Sequence, residues 1–229
     1  MDPSTQKLLI EFLSGFMTPT RRERILQVLS QRTRYLTVVL EDIYQSHNAN
    51  AVLRSCECFG IQDVHIIENR NEYEVNPDVS MGSTKWLDLQ RYNQLGNNTR
   101  ACLENLRSKG YTLVATSPHE NKYSPATLPL DKPVALLFGT ELEGLTAEAI
   151  DMADTFLCIP MAGFTESFNI SVSAAICLYE LSSRIRSSQF PWALPEAERD
   201  ALHLQWVKAS VKSADFLIER FLENHQANL

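Results

Sequence analysis

Apolar residues along the chain follow two different spacings. Short runs of consecutive apolar residues predict buried strands, and segments with apolar residues three and four positions apart predict amphipathic helices. The predicted strands span residues 35–40, 64–67, 86–89, 111–115, 134–138 and 156–159. The predicted helices span residues 4–15, 20–31, 50–59, 98–108, 146–152, 170–186 and 196–223. Because strands alternate with helices, the pattern indicates an α/β fold with a parallel sheet covered by helices on both faces.

All of the predicted strands lie in a central domain, residues 35–187, and the segments on either side of it are helical. The N-terminal extension, residues 1–34, carries a net charge of +3, although the whole chain carries −7. A basic segment of this kind is typical of a surface that contacts nucleic-acid phosphates; the alternative is an ordinary solvated helix face. The C-terminal extension, residues 188–229, begins where Pro191 and Pro195 interrupt the helical pattern.

The composition argues against several classes of protein. No apolar run approaches the roughly 20 residues that a membrane span needs. The N-terminus lacks the basic start and unbroken apolar stretch of a secretory signal. The five cysteines are odd in number, and none stands at a spacing typical of a zinc site. We therefore expect reduced cysteines in a cytoplasmic protein that holds no metal.

Polar residues gather at three of the predicted strand ends, where open parallel sheets bind their ligands. The first group follows strand 35–40 and includes Asn48, Asn50 and Arg54. Asn48 and Asn50 are suitable N-cap residues for the next helix. Asn48 and Arg54 do not share one face of a helix, but they would converge if Asn48 lay in the loop. The alternative is structural: Asn48 only caps the helix, and Arg54 pairs with Glu57.

The second group follows strand 134–138. Gly139 ends that strand and would let the backbone come close to a ligand, and Glu141 stands at the mouth of the strand. The spacing to Gly144 differs from the glycine pattern of a dinucleotide-binding turn. The alternative is a plain strand-to-helix turn that uses Gly144.

The third group follows strand 156–159. Pro160 ends the strand, and Ser167 or Asn169 would cap the long helix that begins near residue 170. Capping accounts for one polar residue, but it does not account for Ser-Phe-Asn followed by Ser-Val-Ser. Small residues at the start of this helix would let another backbone approach closely.

The three groups, in this order, resemble the signature motifs of the SPOUT RNA 2′-O-ribose methyltransferases. The resemblance covers about residues 18–187 and rests on residues 18–25, on Asn48 with Arg54, on Phe138-Gly139-x-Glu141, and on the segment from Ile159 to Ser173. It is strongest to the TrmH-type tRNA (guanosine-2′-O-)-methyltransferases, which act on the D-loop guanosine at tRNA position 18. Three matches in order, each at a strand end, are far more specific than one.

The resemblance implies a fold, a cofactor and partners. The fold would be a parallel-sheet SPOUT domain with a deep trefoil knot in its C-terminal part, an exception to the rule that chains avoid knots. The enzyme would transfer a methyl group from S-adenosyl-L-methionine to a ribose 2′-OH of tRNA, most closely that of the D-loop guanosine. The active site would form across a homodimer, with no metal and no membrane.

The resemblance also assigns residues. Catalytic positions would be Asn48, Arg54, Glu141, Ser167 and Asn169. Cofactor-binding positions would be Gly139, Ile159, Met161, Ser167, Phe168 and Asn169. RNA-binding positions would be Arg21, Arg22, Arg24, Arg32, Arg34, Arg184 and Arg186. Because an arginine normally stays protonated, two roles stay open for Arg54: to accept the hydroxyl proton, directly or through a substrate phosphate, or to hold that phosphate and orient the hydroxyl.

The chain departs from the family pattern in a few places. Phe168 stands where leucine is usual, and Glu166 stands where glutamine is common and adds a negative charge near RNA. The arginine cluster after the long helix is reduced to Arg184 and Arg186. These departures bear on tRNA affinity and target more than on methyl transfer.

Two alternatives remain for the function. The first is the same chemistry on ribosomal RNA; many such relatives carry a separate N-terminal RNA-binding domain, whereas only about 34 residues precede the first strand here. The second is a non-catalytic RNA-binding module on the same fold, since fold alone does not fix function. The joint presence of the five catalytic positions argues against this second alternative.

Overall fold

Among the residues that the structure describes, six strands form one sheet in which every neighbouring pair is parallel. The strands are β1 (Leu36–Glu41), β2 (Asp63–Ile67), β3 (Asp88–Tyr92), β4 (Thr112–Thr116), β5 (Val134–Phe138) and β6 (Thr155–Leu157). Their order across the sheet is β3-β2-β1-β5-β4-β6. The expected α/β fold with a parallel sheet is therefore confirmed.

The computed structural model describes residues 2–73, 82–94, 96–120 and 122–226. Eight α-helices lie within these ranges: α1 (Pro3–Ser14), α2 (Pro19–Leu29), α3 (Ser46–Cys58), α4 (Asn98–Ser108), α5 (Ala147–Met152), α6 (Ile170–Arg186), α7 (Glu196–Ser210) and α8 (Ala214–Gln226). None of these helices is both long enough and apolar enough to cross a membrane. The chain divides into two compact units, residues 33–192 and residues 1–32 with 193–229.

The sheet unit, residues 33–192, has a core on each face of the sheet. Successive residues of a strand point to opposite faces, so Val38 and Val39 enter different cores. On one face, α3 and α6 pack against each other and cover β1 and β5. On the other face, α4 packs against β2, β3 and β4, and α5 packs against α4 and β4. The central strands β1, β2 and β5 are buried along their whole length, as strands covered on both sides should be.

The helical unit, residues 1–32 and 193–229, joins both terminal segments around a small core. Helix α1 packs against α7 and α8, and α2 packs against α7. Trp206 lies at the centre with 2% of its surface exposed, and the guanidinium of the buried Arg32 stands 5.0 Å from its ring centroid. The unit contains nine basic and nine acidic residues, so the positive charge of its N-terminal segment is balanced within the unit.

Several predicted boundaries were wrong. The single C-terminal helix is two helices, α7 and α8, because the chain turns at Ser213, which has a left-handed φ of 57°. The predicted strand 86–89 begins later, at Asp88, after a 3₁₀ turn at Ser83–Trp86. Part of the polar stretch between β2 and β3, residues 74–81, lies outside the described residues.

Candidate active site

The three polar groups lie at the carboxyl edge of the sheet unit. They follow β1, β5 and β6, and β1 is the direct neighbour of β5 in the sheet. In a parallel sheet all carboxyl ends meet at one edge, so segments distant in the sequence become neighbours. The groups after β1, β5 and β6 meet through one side chain, Asn48.

Asn48 hydrogen-bonds to both of the other groups. Its Nδ2 donates to Glu141 Oε1 at 2.6 Å and to Gln45 Oε1 at 3.2 Å, and its Oδ1 accepts from Asn169 Nδ2 at 3.2 Å. Asn48 is 5% exposed. A buried amide must find partners for both of its ends, and here the partners come from the segments after β5 and β6. Asn48, Glu141 and Asn169 therefore form one cluster.

Asn48 reaches this cluster from inside a helix, and the predicted N-cap role was wrong. Helix α3 begins at Ser46, and Gln45 precedes it without a side-chain cap. Asn50 is also inside the helix; its Nδ2 donates to the Ser46 carbonyl at 2.6 Å and its Oδ1 accepts from Tyr73 Oη at 3.1 Å. Because both amides have tertiary partners, neither is available as a cap. Gly60, which has a left-handed φ of 74°, follows the C-cap Phe59 and ends the helix.

Arg54 lies on the exposed side of α3. Its guanidinium forms no ion pair or hydrogen bond with any other residue that the structure describes. The alternative in which Arg54 serves only to pair with Glu57 is thus not realised. The structure does not bring Arg54 into the Asn48 cluster, and it leaves the guanidinium accessible to a substrate.

The segment after β5 forms a closed turn, here called the β5 hairpin (Thr140–Gly144). Thr140 N donates to the Gly144 carbonyl at 2.9 Å, and Gly144 N donates back to the Thr140 carbonyl at 3.1 Å. Gly144 has a φ of 72°, a conformation that favours glycine. Gly139 is required by a close approach within the protein: a Cβ there would lie 2.1 Å from the Gly144 carbonyl carbon. The close approach is to the hairpin itself.

The segment after β6, here called the β6 loop (residues 159–168), has no such internal order. Within the described residues, no backbone N–H from Ile159 to Phe168 donates a hydrogen bond. Ser167 is exposed and makes no hydrogen bond to a described residue, Phe168 is 43% exposed, and Met161 is half-buried. Asn169 ends the loop as the N-cap of α6 and accepts from Ser171 N at 2.8 Å.

Residues after β4 were missed by the sequence analysis. Strand β4 lies between β5 and β6, so Ser117 and Pro118 stand between the β5 hairpin and the β6 loop. Ser117 N donates to the Leu157 carbonyl at 3.0 Å, and Cys158 Sγ approaches the Pro118 carbonyl at 3.6 Å. The polar Thr-Ser-Pro sequence at the strand end was the available signal, but strand order is not readable from the chain.

The predicted RNA-binding arginines fall into two groups. Arg21, Arg22 and Arg24 are exposed on α2. Arg22 donates from Nε and Nη2 to the Met17 carbonyl, at 3.3 and 3.2 Å, and Arg24 donates to Gln27 Oε1 at 2.9 Å. Exposed contacts of this kind exchange readily with water, so these three guanidinium groups remain accessible to phosphates.

The other four arginines have internal partners. Arg32 is fully buried beside Trp206, and Arg34 binds Asp88 at 2.6 Å and Asp63 at 3.5 Å. Arg184 donates to the Pro125 and Leu128 carbonyls, and Arg186 to the Phe59 carbonyl at 2.7 Å. Burial lowers the pKa of Arg186. Structural roles of this kind were not predicted for Arg32, Arg34, Arg184 and Arg186.

The site residues suit an adenosyl ligand better than a metal. Among the described residues, no group of three or more His, Cys, Asp or Glu side chains could hold a metal ion. The β6 loop, in contrast, offers a run of unused backbone N–H groups beside a strand end. Unpaired backbone donors and acceptors need a partner when they are covered, and a nucleoside with a polar amino-acid tail supplies such partners. Ile159 and Met161 lie in this loop, and Asn169 follows it as the N-cap of α6.

The SpoU rRNA Methylase family matches residues 35–179. A tRNA (guanosine(18)-2′-O)-methyltransferase from Borreliella burgdorferi is 44% identical over 91% of this chain and 94% of its own length. The Escherichia coli protein of the same name is 30% identical, with 81% of each chain covered.

A structural comparison agrees with these matches. The crystal structure of the Aquifex aeolicus TrmH/SpoU tRNA modifying enzyme superposes with a TM-score of 0.74 and 25% identity. It covers 85% of this chain and 98% of that one. The family match spans more than half of the chain, and two relatives cover most of its length at 30% identity or more. The chain therefore belongs to the SpoU rRNA methylase family.

Proposed function

We propose that this protein methylates tRNA: it transfers a methyl group from S-adenosyl-L-methionine to the ribose 2′-OH of the D-loop guanosine at position 18. Relatives that cover most of the chain carry the name tRNA (guanosine(18)-2′-O)-methyltransferase. The observation that carries the proposal is the Asn48–Glu141–Asn169 cluster, which joins the family's motif positions through direct hydrogen bonds. A non-catalytic module would have no need for this arrangement.

The chemistry asks for alignment and for removal of one proton. A ribose hydroxyl is a weak nucleophile, so the enzyme must hold its oxygen in line with the methyl carbon and help the proton leave. When bound, S-adenosylmethionine supplies an already activated sulfonium methyl group. Glu141 accepts one hydrogen bond from Asn48, and its remaining carboxylate lone pairs can accept from the ribose. Asn48 fixes the direction of that carboxylate.

Arg54 contributes a positive charge, which the Asn48–Glu141–Asn169 cluster lacks. A guanidinium fork matches two oxygens of a phosphate group, and the exposed position of Arg54 leaves that fork accessible. We assign Arg54 to the phosphate beside the target ribose, where it orients the 2′-OH. The competing role, direct acceptance of the hydroxyl proton by Arg54, requires a neutral guanidine.

The binding of tRNA would begin at α2. Arg21, Arg22 and Arg24 are exposed on that helix, and phosphate contacts of this kind position RNA without reading its sequence. We retain these three residues as the RNA-binding set and withdraw the fully buried Arg32. Arg34, Arg184 and Arg186 would have to break internal bonds before they could bind RNA. The helical segments before residue 35 and after residue 187 thus act as extensions of the methyltransferase domain.

We infer three further features, which membership in the family supports. The C-terminal part of the sheet unit, including the β6 loop and α6, forms the deep trefoil knot. The active unit is a homodimer; exposed apolar side chains on α6, Val172 and Tyr179, support a second copy as their cover. A tRNA substrate implies work in the cytoplasm.

Methylation of defined RNAs tests the proposal directly. The purified protein would be incubated with S-adenosylmethionine and either tRNA transcripts or ribosomal RNA fragments, and the nucleosides would be analysed by mass spectrometry. We expect 2′-O-methylguanosine in tRNA only, and its loss when the position-18 guanosine is replaced by a 2′-deoxy nucleotide. Methylation confined to the ribosomal fragments would instead favour ribosomal RNA as the substrate.

A further inference from the structure

A polar cavity lies beside the β5 hairpin, and none of Asn48, Glu141 and Asn169 lines it. It has a volume of about 330 Å³, at the lower end of the roughly 300–1,000 Å³ that is usual for small-molecule sites. The residues that line it belong to the end of β1, the turn after β2, and the segment from the hairpin to α5: Glu41, Asp42, Arg70, Thr140, Glu143, Gly144, Leu145, Thr146 and Ala147.

Two carboxylates form a fixed floor. Glu41 is buried and accepts from Thr99 Oγ1 at 2.6 Å, from Thr146 N at 2.9 Å and from Thr146 Oγ1 at 2.8 Å. Asp42 is buried and accepts the backbone N–H groups of residues 69–71 at 2.8–3.0 Å. Burial alone would raise the pKa of Asp42, but these N–H groups hold it below its usual value. Both groups are occupied, so they shape the cavity rather than bind a ligand.

The rim of the cavity carries an arginine–glutamate pair that can form further hydrogen bonds. Arg70 donates from Nε to Asp42 at 3.2 Å and from Nη2 to Glu143 Oε2 at 2.8 Å. Both rim side chains are 62% exposed. Within the described residues, Arg70 Nη1 and Glu143 Oε1 have no hydrogen-bond partner. The rim thus presents a donor beside two carboxylate oxygens that still have free lone pairs.

The net charge of the cavity argues against a phosphate ligand. Three carboxylates, Glu41, Asp42 and Glu143, face one cation, Arg70. An anion would be repelled by this excess of negative charge, whereas a neutral group rich in N–H donors would be attracted. Of the four RNA bases, guanine alone has two adjacent N–H donors, N1–H and N2–H, on its Watson–Crick edge beside an acceptor, O6.

We propose that this cavity reads the target base: Glu143 accepts from N1–H and N2–H of guanine, and Arg70 donates to O6. The proposal rests on the proposed function, because it concerns the nucleotide whose ribose is methylated. Glu143 stands two positions after Glu141 in the β5 hairpin, and Glu141 is bonded to Asn48. A nucleotide turned out of its stack, with its ribose at Asn48, would have its base beside this rim.

Competition between target bases tests the assignment. Three tRNA transcripts would differ only at the target position, with guanosine, inosine or adenosine, and kcat/KM would be measured for each. Inosine lacks only the N2 amino group of guanosine. We expect the wild-type protein to favour guanosine over inosine by about 5- to 150-fold, the range that base-edge hydrogen bonds provide. Glu143→Gln should lower this ratio to within a few-fold of one.

A second arginine–glutamate pair, Arg100 with Glu148, supplies the control. Glu148 binds Arg100 at 2.7 Å and is not among the residues that line the cavity, so Glu148→Gln should leave the ratio unchanged. The ratio does not depend on the fraction of correctly folded protein, so a poorly folding Glu143→Gln remains informative, and Glu143→Ala provides a second test.

Two outcomes would overturn the assignment. If Glu143→Gln lowers activity on guanosine and inosine by the same factor, the Arg70–Glu143 pair only holds the hairpin. If the wild-type protein does not distinguish the two bases, the cavity reads no N2 amino group. A wild-type protein that methylates no tRNA at all would contradict the proposed function instead, so the two failures are distinguishable.

Discussion

The β5 hairpin and the β6 loop leave the same edge of one sheet, yet they are built in opposite ways. The hairpin closes on itself through two backbone hydrogen bonds, and Gly139 packs against its far end. Within the described residues, the β6 loop uses none of its backbone N–H groups from residue 159 to residue 168. We propose that the two segments have different roles: the hairpin holds Glu141 in place before the substrate binds, and the loop becomes ordered when the cofactor binds.

Substitution of Arg54 should separate catalysis from cofactor binding with the largest effect. Arg54 belongs to the group after β1 and not to the β6 loop, so its contribution is expected in the transition state rather than in cofactor binding. Arg54→Ala should bind S-adenosylmethionine as the wild type does, while single-turnover methyl transfer falls by about 10²- to 10⁴-fold. Arg54→Lys should recover little, because a point charge does not reproduce the planar fork. Transfer at the wild-type rate would remove Arg54 from the mechanism.

Lowering the pH should destabilise the β5 hairpin and the β6 loop together, because both extend from the same sheet. His65 on β2 is buried next to Tyr92 Oη at 3.2 Å, and burial, aided by Lys109, lowers its pKa to about 4. The unfolded chain therefore binds more protons than the folded one between pH 6.5 and 4. The free energy of unfolding should be highest above pH 6.5 and fall by up to about 3 kcal/mol toward pH 4.

The variant His65→Gln isolates this effect, since it keeps a polar partner for Tyr92 and does not titrate. Chemical denaturation of both proteins across this pH range would give the difference in their free energies of unfolding. A difference that stays constant with pH would mean that His65 is not the titrating group.

Two glycines test whether the hairpin is as rigid as its hydrogen bonds indicate. A Cβ on Gly139 would meet the Gly144–Leu145 backbone at 2.1–2.2 Å, whereas a Cβ on Gly163 in the β6 loop would meet only Thr165 N at 4.0 Å. Gly139→Ala should therefore destabilise the protein by about 1–3 kcal/mol, as forced overpacking does. Gly163→Ala should change stability by less than about 0.5 kcal/mol. Thermal unfolding of both variants measures the contrast, and equal shifts would contradict it.

Hydrogen exchange with and without cofactor tests the loop itself. At a cofactor concentration about ten times its Kd, exchange that requires release of the ligand slows about tenfold. We expect this protection for residues 159–168 and less than about twofold protection for residues 140–144, which already bond to one another. Equal protection of both segments would indicate that the hairpin also forms only when the ligand binds.

The helices and strands themselves were predicted better than the positions at which they begin and end. Repeated apolar spacings located the six strands because burial of those side chains is what the sheet requires. The start of α3 was misplaced because Asn48 and Asn50 have the chemistry of N-caps, and only tertiary partners such as Glu141 and Tyr73 reveal their use. The break at Ser213 carries no glycine or proline that would mark it.

The candidate site was predicted in part for the same reason. The motif positions Asn48, Glu141 and Asn169 do meet, but the residues after β4 were missed, because the order of strands in the sheet is a property of the fold. Arginines were the least predictable residues. Charge suggests a phosphate contact, yet Arg184 binds main-chain carbonyls and Arg32 lies beneath an aromatic ring.

The burial of Trp206 gives the helical unit its own optical signal. Trp206 is enclosed beside the Arg32 guanidinium, whereas Trp86 and Trp192, which belong to the sheet unit, are only half-buried. An indole in an apolar enclosure emits at shorter wavelength than one in contact with water, and a nearby cation perturbs that emission. Tryptophan fluorescence can therefore follow the loosening of the terminal helices separately from the sheet, without any added label.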